Sequence, residues 1–445
     1  MRLGDRNLDT ICALSTASGH GGIAVIRVSG GKALESARNL ARFLPEMPHS
    51  HQIYFGTLKT RDEEDLDEVL ISYFAKGMSF TGEETLEISC HGSPQISGRI
   101  LRELCASGCR AAERGEFTFR AFMNGNMDLI QAESILSLVQ SEAPLQAAQA
   151  LKQLKGGLSE KILKIEEQLI WCLAHLEANI DFSQEGLQSA SSEMLLLQLA
   201  SLESELADLV SSYKQGRILR DGLTVTLVGA VNVGKSSLLN LILGEKRALV
   251  SEIPGTTRDL VDGELFISGV KVRFVDTAGV RESQDPVEKL GIERSRSALA
   301  DSDLVFFIFD LSLGLSENEK KMVAGITQSC LVIGNKSDQA QIRDGINVCA
   351  FHPEDRNILL GLVEKHIDAF KIEDQSVLLN SRHFELLNAS HHLLKQACLE
   401  MREGVSEDLI CLSLREALER LQEVLGKRYD DEILERVFKE FCIGK

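Results

Sequence analysis

The sequence predicts a multidomain α/β protein: an N-terminal α+β domain, a discontinuous α-helical domain, and an α/β domain inserted between the two helical blocks. Three observations carry this expectation. Residues 1 to about 123 mix apolar alternation with glycine turns. Residues from about 125 to 215, and again those after about 375, repeat apolar side chains at helical spacing. The segment between alternates short, nearly continuous apolar runs with helical stretches. A chain of 445 residues has room for all three.

In the first region, 1–123, strands are expected at Ile11–Leu14, Ile23–Val28, Val69–Phe74 and Thr85–Ser89, with helices near 31–43 and 94–107. In the first helical block, 124–216, Ile162, Ile165, Leu169, Leu173 and Leu176 fall on one helix face. In the second, 374–445, Leu414, Leu418, Leu421 and Leu425 do the same. Two such blocks can pack as one bundle, because an inserted domain needs only termini that lie close together. The insert, 217–373, carries Thr224–Val228, Val272–Val275, Leu304–Phe309 and Leu331–Ile333, runs typical of strands buried on both faces of a parallel sheet.

Composition narrows the function. A net charge of −18 repels phosphate overall, so this surface does not grip nucleic acid non-specifically. An RNA substrate would need a local basic patch or a partner protein. No run of eighteen uncharged apolar residues is present, and the charged N-terminus lacks the apolar stretch of a signal peptide, so a cytoplasmic protein without membrane partners is expected. The ten cysteines are scattered singly without zinc-site spacing and read as reduced structural thiols.

Directly after the run 224–228 stands Gly229-Ala230-Val231-Asn232-Val233-Gly234-Lys235-Ser236, followed by Ser237 and a helical stretch. Glycines there let backbone N–H groups turn inward around phosphates, and the helix N-terminus adds its positive end. Lys235 would reach the β- and γ-phosphates and Ser236 would ligate Mg²⁺. Asp276-Thr277-Ala278-Gly279, after another strand, places an acid near Mg²⁺ and a glycine N–H near the γ-phosphate. In Asn335-Lys336-Ser337-Asp338 a carboxylate can accept from both N1–H and the N2 amine of guanine. Adenine offers no such pair, so GTP is the expected substrate. Between them, Gly255-Thr256-Thr257 offers Thr257 to complete the Mg²⁺ shell. A last guanine-contacting Ser-Ala element is expected near 349, where only Cys349-Ala350 stands.

Further segments narrow the family. They are Asp9-Thr10-Ile11, Gly21-Gly22-Ile23 through Ile26-Arg27-Val28-Ser29-Gly30, Phe80-Thr81-Gly82-Glu83-Glu84 and His91-Gly92. Gly115-Glu116-Phe117-Thr118, Arg120-Ala121-Phe122, Asp128-Leu129, Gln131-Ala132-Glu133 and the closing Phe441-Cys442-Ile443-Gly444-Lys445 continue the series. Together they resemble the tRNA-modification GTPase MnmE (TrmE) family over essentially the whole chain. The resemblance implies a folate-binding, homodimerising N-terminal domain, a helical domain and an inserted Ras-like G domain. It also implies a heterotetramer-type complex with an FAD-containing MnmG (GidA)-like protein. The two together place a carboxymethylaminomethyl or aminomethyl group on C5 of the wobble uridine of certain tRNAs. A tetrahydrofolate supplies the one-carbon unit, and the partner carries the FAD and much of the RNA grip.

The resemblance extends the nucleotide contacts to Ser251, Glu252, Ile253 and Pro254. It makes K⁺ the activating cation, held by Asn232, Ser251, Ile253 and Thr256. From its residue type alone, Asn232 is equally a turn residue that tolerates unusual dihedrals. Glu288 matches the family's catalytic glutamate, which orients the attacking water; on sequence alone it is an anonymous surface acid. Arg281 reads as a solvated loop arginine rather than an arginine finger. Arg27, Glu87 and Lys445 match folate-binding positions, while Asn126 stands where the family usually carries Lys, a lost cation for the folate tail. Cys442 is a candidate nucleophile for uridine C6, but free cysteine is more often a small apolar packing residue, and structural or indirect support is the favoured reading. His91 reads as a turn or packing residue. Two other readings share the nucleotide motifs: a nucleotide-switched scaffold that binds and releases a partner, and a folate-binding module with a regulatory G domain.

Overall fold

The structure, a computed structural model, describes residues 9–182, 191–244, 261–276, 299, 302–342, 345–369 and 380–444. It divides into two compact units: Met1–Val139, Leu151–Ala207 and Glu385–Lys445 in the first, Gln140–Ala150 and Asp208–Phe384 in the second.

In the first unit six strands form one sheet: β1 (Ile11–Leu14), β2 (Ile23–Ser29), β3 (Gln52–Lys59), β4 (Asp65–Phe74), β5 (Thr85–His91) and β6 (Arg110–Ala111). Their order is β3-β4-β5-β2-β1-β6, antiparallel throughout except for the parallel β1–β6 pair. Alternation sends Ile26, Val28, Ile71, Leu86 and Ile88 into a core shared with Ile100 and Leu104 of the helix Pro94–Ala106. β3 was not legible as a strand because it is an edge strand with apolar residues on both faces. Tyr54 and Leu58 turn inward, whereas Ile53 and Phe55 are 65% and 67% exposed. β6 is only two residues long. The helix expected near 31–43 is the shorter Ala33–Arg38.

The helical part of this unit pairs the helix Gly157–Phe182 with the helix Glu407–Leu425, segments far apart in sequence. Ile162, Ile165, Leu169 and Leu176 on one, and Leu414, Leu421 and Leu425 on the other, are almost fully buried. Phe119, Phe122 and Leu129 form a second cluster with Phe438 and Phe441 near the chain end. Beyond Phe441 the chain bridges Arg114 through Ile443, and the Gly115 N–H donates to Cys442 O at 3.4 Å. Gly444 has φ +91°, and a Cβ there would lie 2.2 Å from Leu14 O at the end of β1.

The second unit has β7 (Leu223–Val228), β8 (Val261–Ile267), β9 (Val270–Asp276), β10 (Leu304–Asp310), β11 (Ser329–Asn335) and β12 (Ile346–Asn347). The order is β12-β11-β10-β7-β9-β8, parallel except for β8 against β9. Every residue of β10 is buried, as its unbroken apolar run requires. β7 lies between β10 and β9, so the loop leaving it opens at the point where the strand order reverses. That is where open α/β sheets bind ligands.

Candidate functional site

The phosphate loop leaves β7 and enters the helix Lys235–Leu243 at Gly234. Its glycines are required sterically: a Cβ on Gly229 would lie 2.1 Å from Ile308 O, and one on Gly234 (φ +95°) 2.2 Å from Asn335 Nδ2. Asn232 is exposed and holds φ +65°, so the turn reading of this residue fits its backbone. Lys235 folds back over the loop and donates to Gly229 O at 2.9 Å and Ala230 O at 2.7 Å. Its ammonium is pulled below the usual lysine range by burial, against an opposing push from Asp276. Ser236 Oγ donates to Asp276 Oδ2 at 2.5 Å, and Asp276 is fully buried at the end of β9. A hydroxyl and a buried carboxylate, both hard oxygen donors, meet beside a lysine at a helix N-terminus. This donor set fits Mg²⁺ with a nucleotide phosphate.

The guanine motif closes the same crevice from β11. Asn335 Nδ2 donates to Val233 O at 2.8 Å, tying the motif to the phosphate loop, and Asn335 Oδ1 accepts from Ala350 N at 3.2 Å. Lys336 holds φ +65° while its Nζ reaches Asp310 Oδ2 at 2.5 Å. The Lys336 ammonium, helped by Ser312, keeps the Asp310 carboxyl below the usual carboxylate range. Cys349 Sγ donates to Asp338 Oδ1 at 3.3 Å, and Cys349 N donates to Asp355 Oδ2 at 2.6 Å. Burial pushes the Cys349 thiol up, so it stays a donor. Cys349-Ala350 therefore stands at the guanine motif, although its residue types gave that element weak support. Asp310 was missed; the signal available was an acid that ends an otherwise apolar strand.

On the first unit, Arg27 and Glu87 face each other across β2 and β5 and form an ion pair, with Arg27 Nη2 at 2.8 Å and Nε at 3.0 Å from Glu87 Oε1. The Arg27 guanidinium lies 5.3 Å from the Phe80 ring centre and 5.5 Å from that of Phe117. Neither aromatic was singled out from sequence, although both sit in quoted motifs. Asn126 Nδ2 donates to Ser79 O at 3.2 Å and Phe80 O at 3.1 Å, so it clamps the loop bearing Phe80. Glu83 of the same loop binds Ser29 and the fully buried Arg120. Cys442 is exposed. His91 pairs with Asp67 at 2.7 Å.

Ser251, Glu252, Ile253, Pro254, Gly255, Thr256, Thr257, Thr277, Ala278, Gly279, Arg281, Glu288 and Lys445 lie outside the described residues.

Residues 10–126 match the family model described as the N-terminus of GTP-binding protein TrmE, and residues 129–442 match the MnmE helical domain. The tRNA modification GTPase MnmE of Bdellovibrio bacteriovorus is 44% identical over 473 aligned positions, covering 99% of each chain. The chain belongs to the MnmE family. A second MnmE, from Carboxydothermus hydrogenoformans, is 36% identical and covers 98% of this chain and 99% of its own. Among solved structures, an Aquifex aeolicus Era bound to GDP and AlF4⁻ covers 38% of this MnmE-family chain at 21% identity and a TM-score of 0.27. The G domain of the T. maritima FeoB iron transporter covers 34% at the same identity and a TM-score of 0.24.

Proposed function

We propose that the chain hydrolyses GTP to drive tRNA modification, adding a carboxymethylaminomethyl or aminomethyl group at C5 of a wobble uridine together with an FAD-containing MnmG (GidA)-like partner. The observation that carries the GTPase part is the convergence of Lys235, Ser236 and Asp276 with Asn335 on the phosphate loop. The proposed domains run over 1–123, 124–216, 217–373 and 374–445.

Phosphoryl transfer needs positioning and positive charge more than covalent chemistry. Ser236 and Thr257 would hold Mg²⁺, which would supply positive charge to the phosphates. Asn232, Ser251, Ile253 and Thr256 would hold K⁺, which would supply the positive charge that an arginine finger, worth roughly 10³–10⁵ in rate, supplies elsewhere. Residues 251–257 and 276–279 would contact the nucleotide, Asp338 would read guanine, and Glu288 would orient the attacking water.

In the N-terminal region Arg27, Glu87 and Lys445 would hold a tetrahydrofolate derivative. Phe80, held over Arg27, offers its pterin a stacking surface. Asn126 serves that site indirectly, since its amide is committed to the Phe80 loop. Cys442, exposed beside the chain end, is the thiol available to the uridine. The exposed apolar row of Phe55 and Leu70, with Ile53 nearby, supports homodimerisation through this sheet. No helix among the described residues is long and apolar enough to cross a membrane, and the reaction is assigned to the cytoplasm.

GTP turnover is expected to be several-fold faster in KCl than in NaCl at equal ionic strength, with Asn232→Ala abolishing the difference. Equal rates for the unmutated chain would remove K⁺ from the scheme. Nucleoside analysis of tRNA from cells lacking the protein tests the modification, and an unchanged wobble uridine would overturn it.

A further inference from the structure

Three thiols converge at the N-terminal sheet. Cys12 lies in β1, Cys105 in the last turn of the helix Pro94–Ala106, and Cys109 in the turn leading to β6. Cys12 Sγ is 3.9 Å from Cys105 Sγ. The three differ in access: Cys105 is exposed, while Cys12 and Cys109 are only 1% and 7% exposed.

We infer that Cys105 is a site of oxidative modification by hydroperoxides, with Cys12 as the resolving thiol. Cys105 is the one member of the trio that a small oxidant can reach from solvent. Its sulfur attacks one oxygen of hydrogen peroxide, the O–O bond breaks, and the products are a sulfenic acid and one water. Cys12 sulfur then displaces the hydroxyl group, which leaves with the Cys12 proton as a second water, and the S–S bond forms. Overall two thiols lose two electrons and two protons while one peroxide becomes two waters.

The geometry suits the second step. Closing from 3.9 Å to a bond of about 2.05 Å asks for an approach of roughly 2 Å. Cys105 lies one residue before the end of its helix, where terminal turns yield most readily. The neighbouring Cys109 and burial push the Cys12 thiol above its ordinary range. The crosslink would join residues 93 apart in sequence, pinning the first strand to the helix that covers it.

The full-length protein, treated with hydrogen peroxide and digested without reduction, should yield a peptide joining Cys12 to Cys105. Cys105→Ser should abolish it, and Cys109→Ser should leave it. In Cys12→Ala the Cys105 sulfenic acid should persist and be trapped by a dimedone-type reagent. Circular dichroism and GTP turnover establish that each variant is folded. The inference is overturned if peroxide leaves Cys12 and Cys105 as free thiols while exposed Cys442 is oxidised. It is equally overturned if the disulfide found joins Cys12 to Cys109.

Discussion

Gly234 meets two demands at one position. Its φ of +95° is strained for any residue with a Cβ, and the space a Cβ would take belongs to Asn335 Nδ2. Gly234→Ala would push the guanine motif off the phosphate loop at a cost of about 1–3 kcal/mol of backbone strain alone. GTP affinity should fall at least tenfold in a fluorescent-nucleotide titration, and unchanged affinity would contradict this account of the loop. Asp310 acts one step further out, through Lys336. Asp310→Asn removes a buried charge partner, so GTP should bind about tenfold more weakly. Stopped-flow release rates would register this as faster dissociation. Lys235, Ser236, Asp276 and Asn335, which the structure brings together, could be named from sequence because each lies in a short motif of fixed spacing. Sequence reading missed Asp310, Phe80 and Phe117 because their partners lie 26, 53 and 90 residues away, and no local pattern encodes such pairs.

At the scale of elements, the helix Glu116–Met123 is anchored by charge as much as by its phenylalanines. Arg120, 0% exposed, binds Asp9, Glu83 and Glu116, and Arg110 also reaches Asp9 and Glu116. Burial alone would raise Glu116 and Asp9, but the two arginines outweigh it and hold both carboxyls below their ordinary values. Groups whose folded pKa is depressed stabilise the fold above the unfolded value, and that contribution is lost as pH falls through the folded one. Stability should therefore hold from neutrality to about pH 5 and fall steeply below about pH 4. In Arg120→Met the acid-dependent part should shrink, which thermal melts across that range would reveal. A melt for the variant as pH-dependent as the parent's would assign acid sensitivity elsewhere. Strands whose apolar residues alternate or run unbroken, such as β2 and β10, were legible in advance. β3 was not, because an edge strand is wetted on one face and keeps apolar residues there.

For the whole molecule, the net charge of −18 sets how RNA is met. Alone, the chain should bind tRNA weakly and lose that binding as salt rises; with an FAD-containing partner the affinity should increase by an order of magnitude or more. Filter binding with and without the partner measures this. Tight binding by the isolated chain at physiological salt would relocate the RNA contacts onto it.

The seating of Gly444 against Leu14 has a consequence in time. The two are 430 positions apart, yet Gly444 packs against the end of β1. At a ribosomal rate of roughly 5–20 residues per second, the end of β1 waits about 20–90 s for its neighbour to be made. Through that interval the seat for Phe441 beside Phe119 and Phe122 stands empty in the nascent chain. A ribosome that stalls early therefore releases a product with an apolar vacancy, the kind of surface that chaperones hold and proteases find.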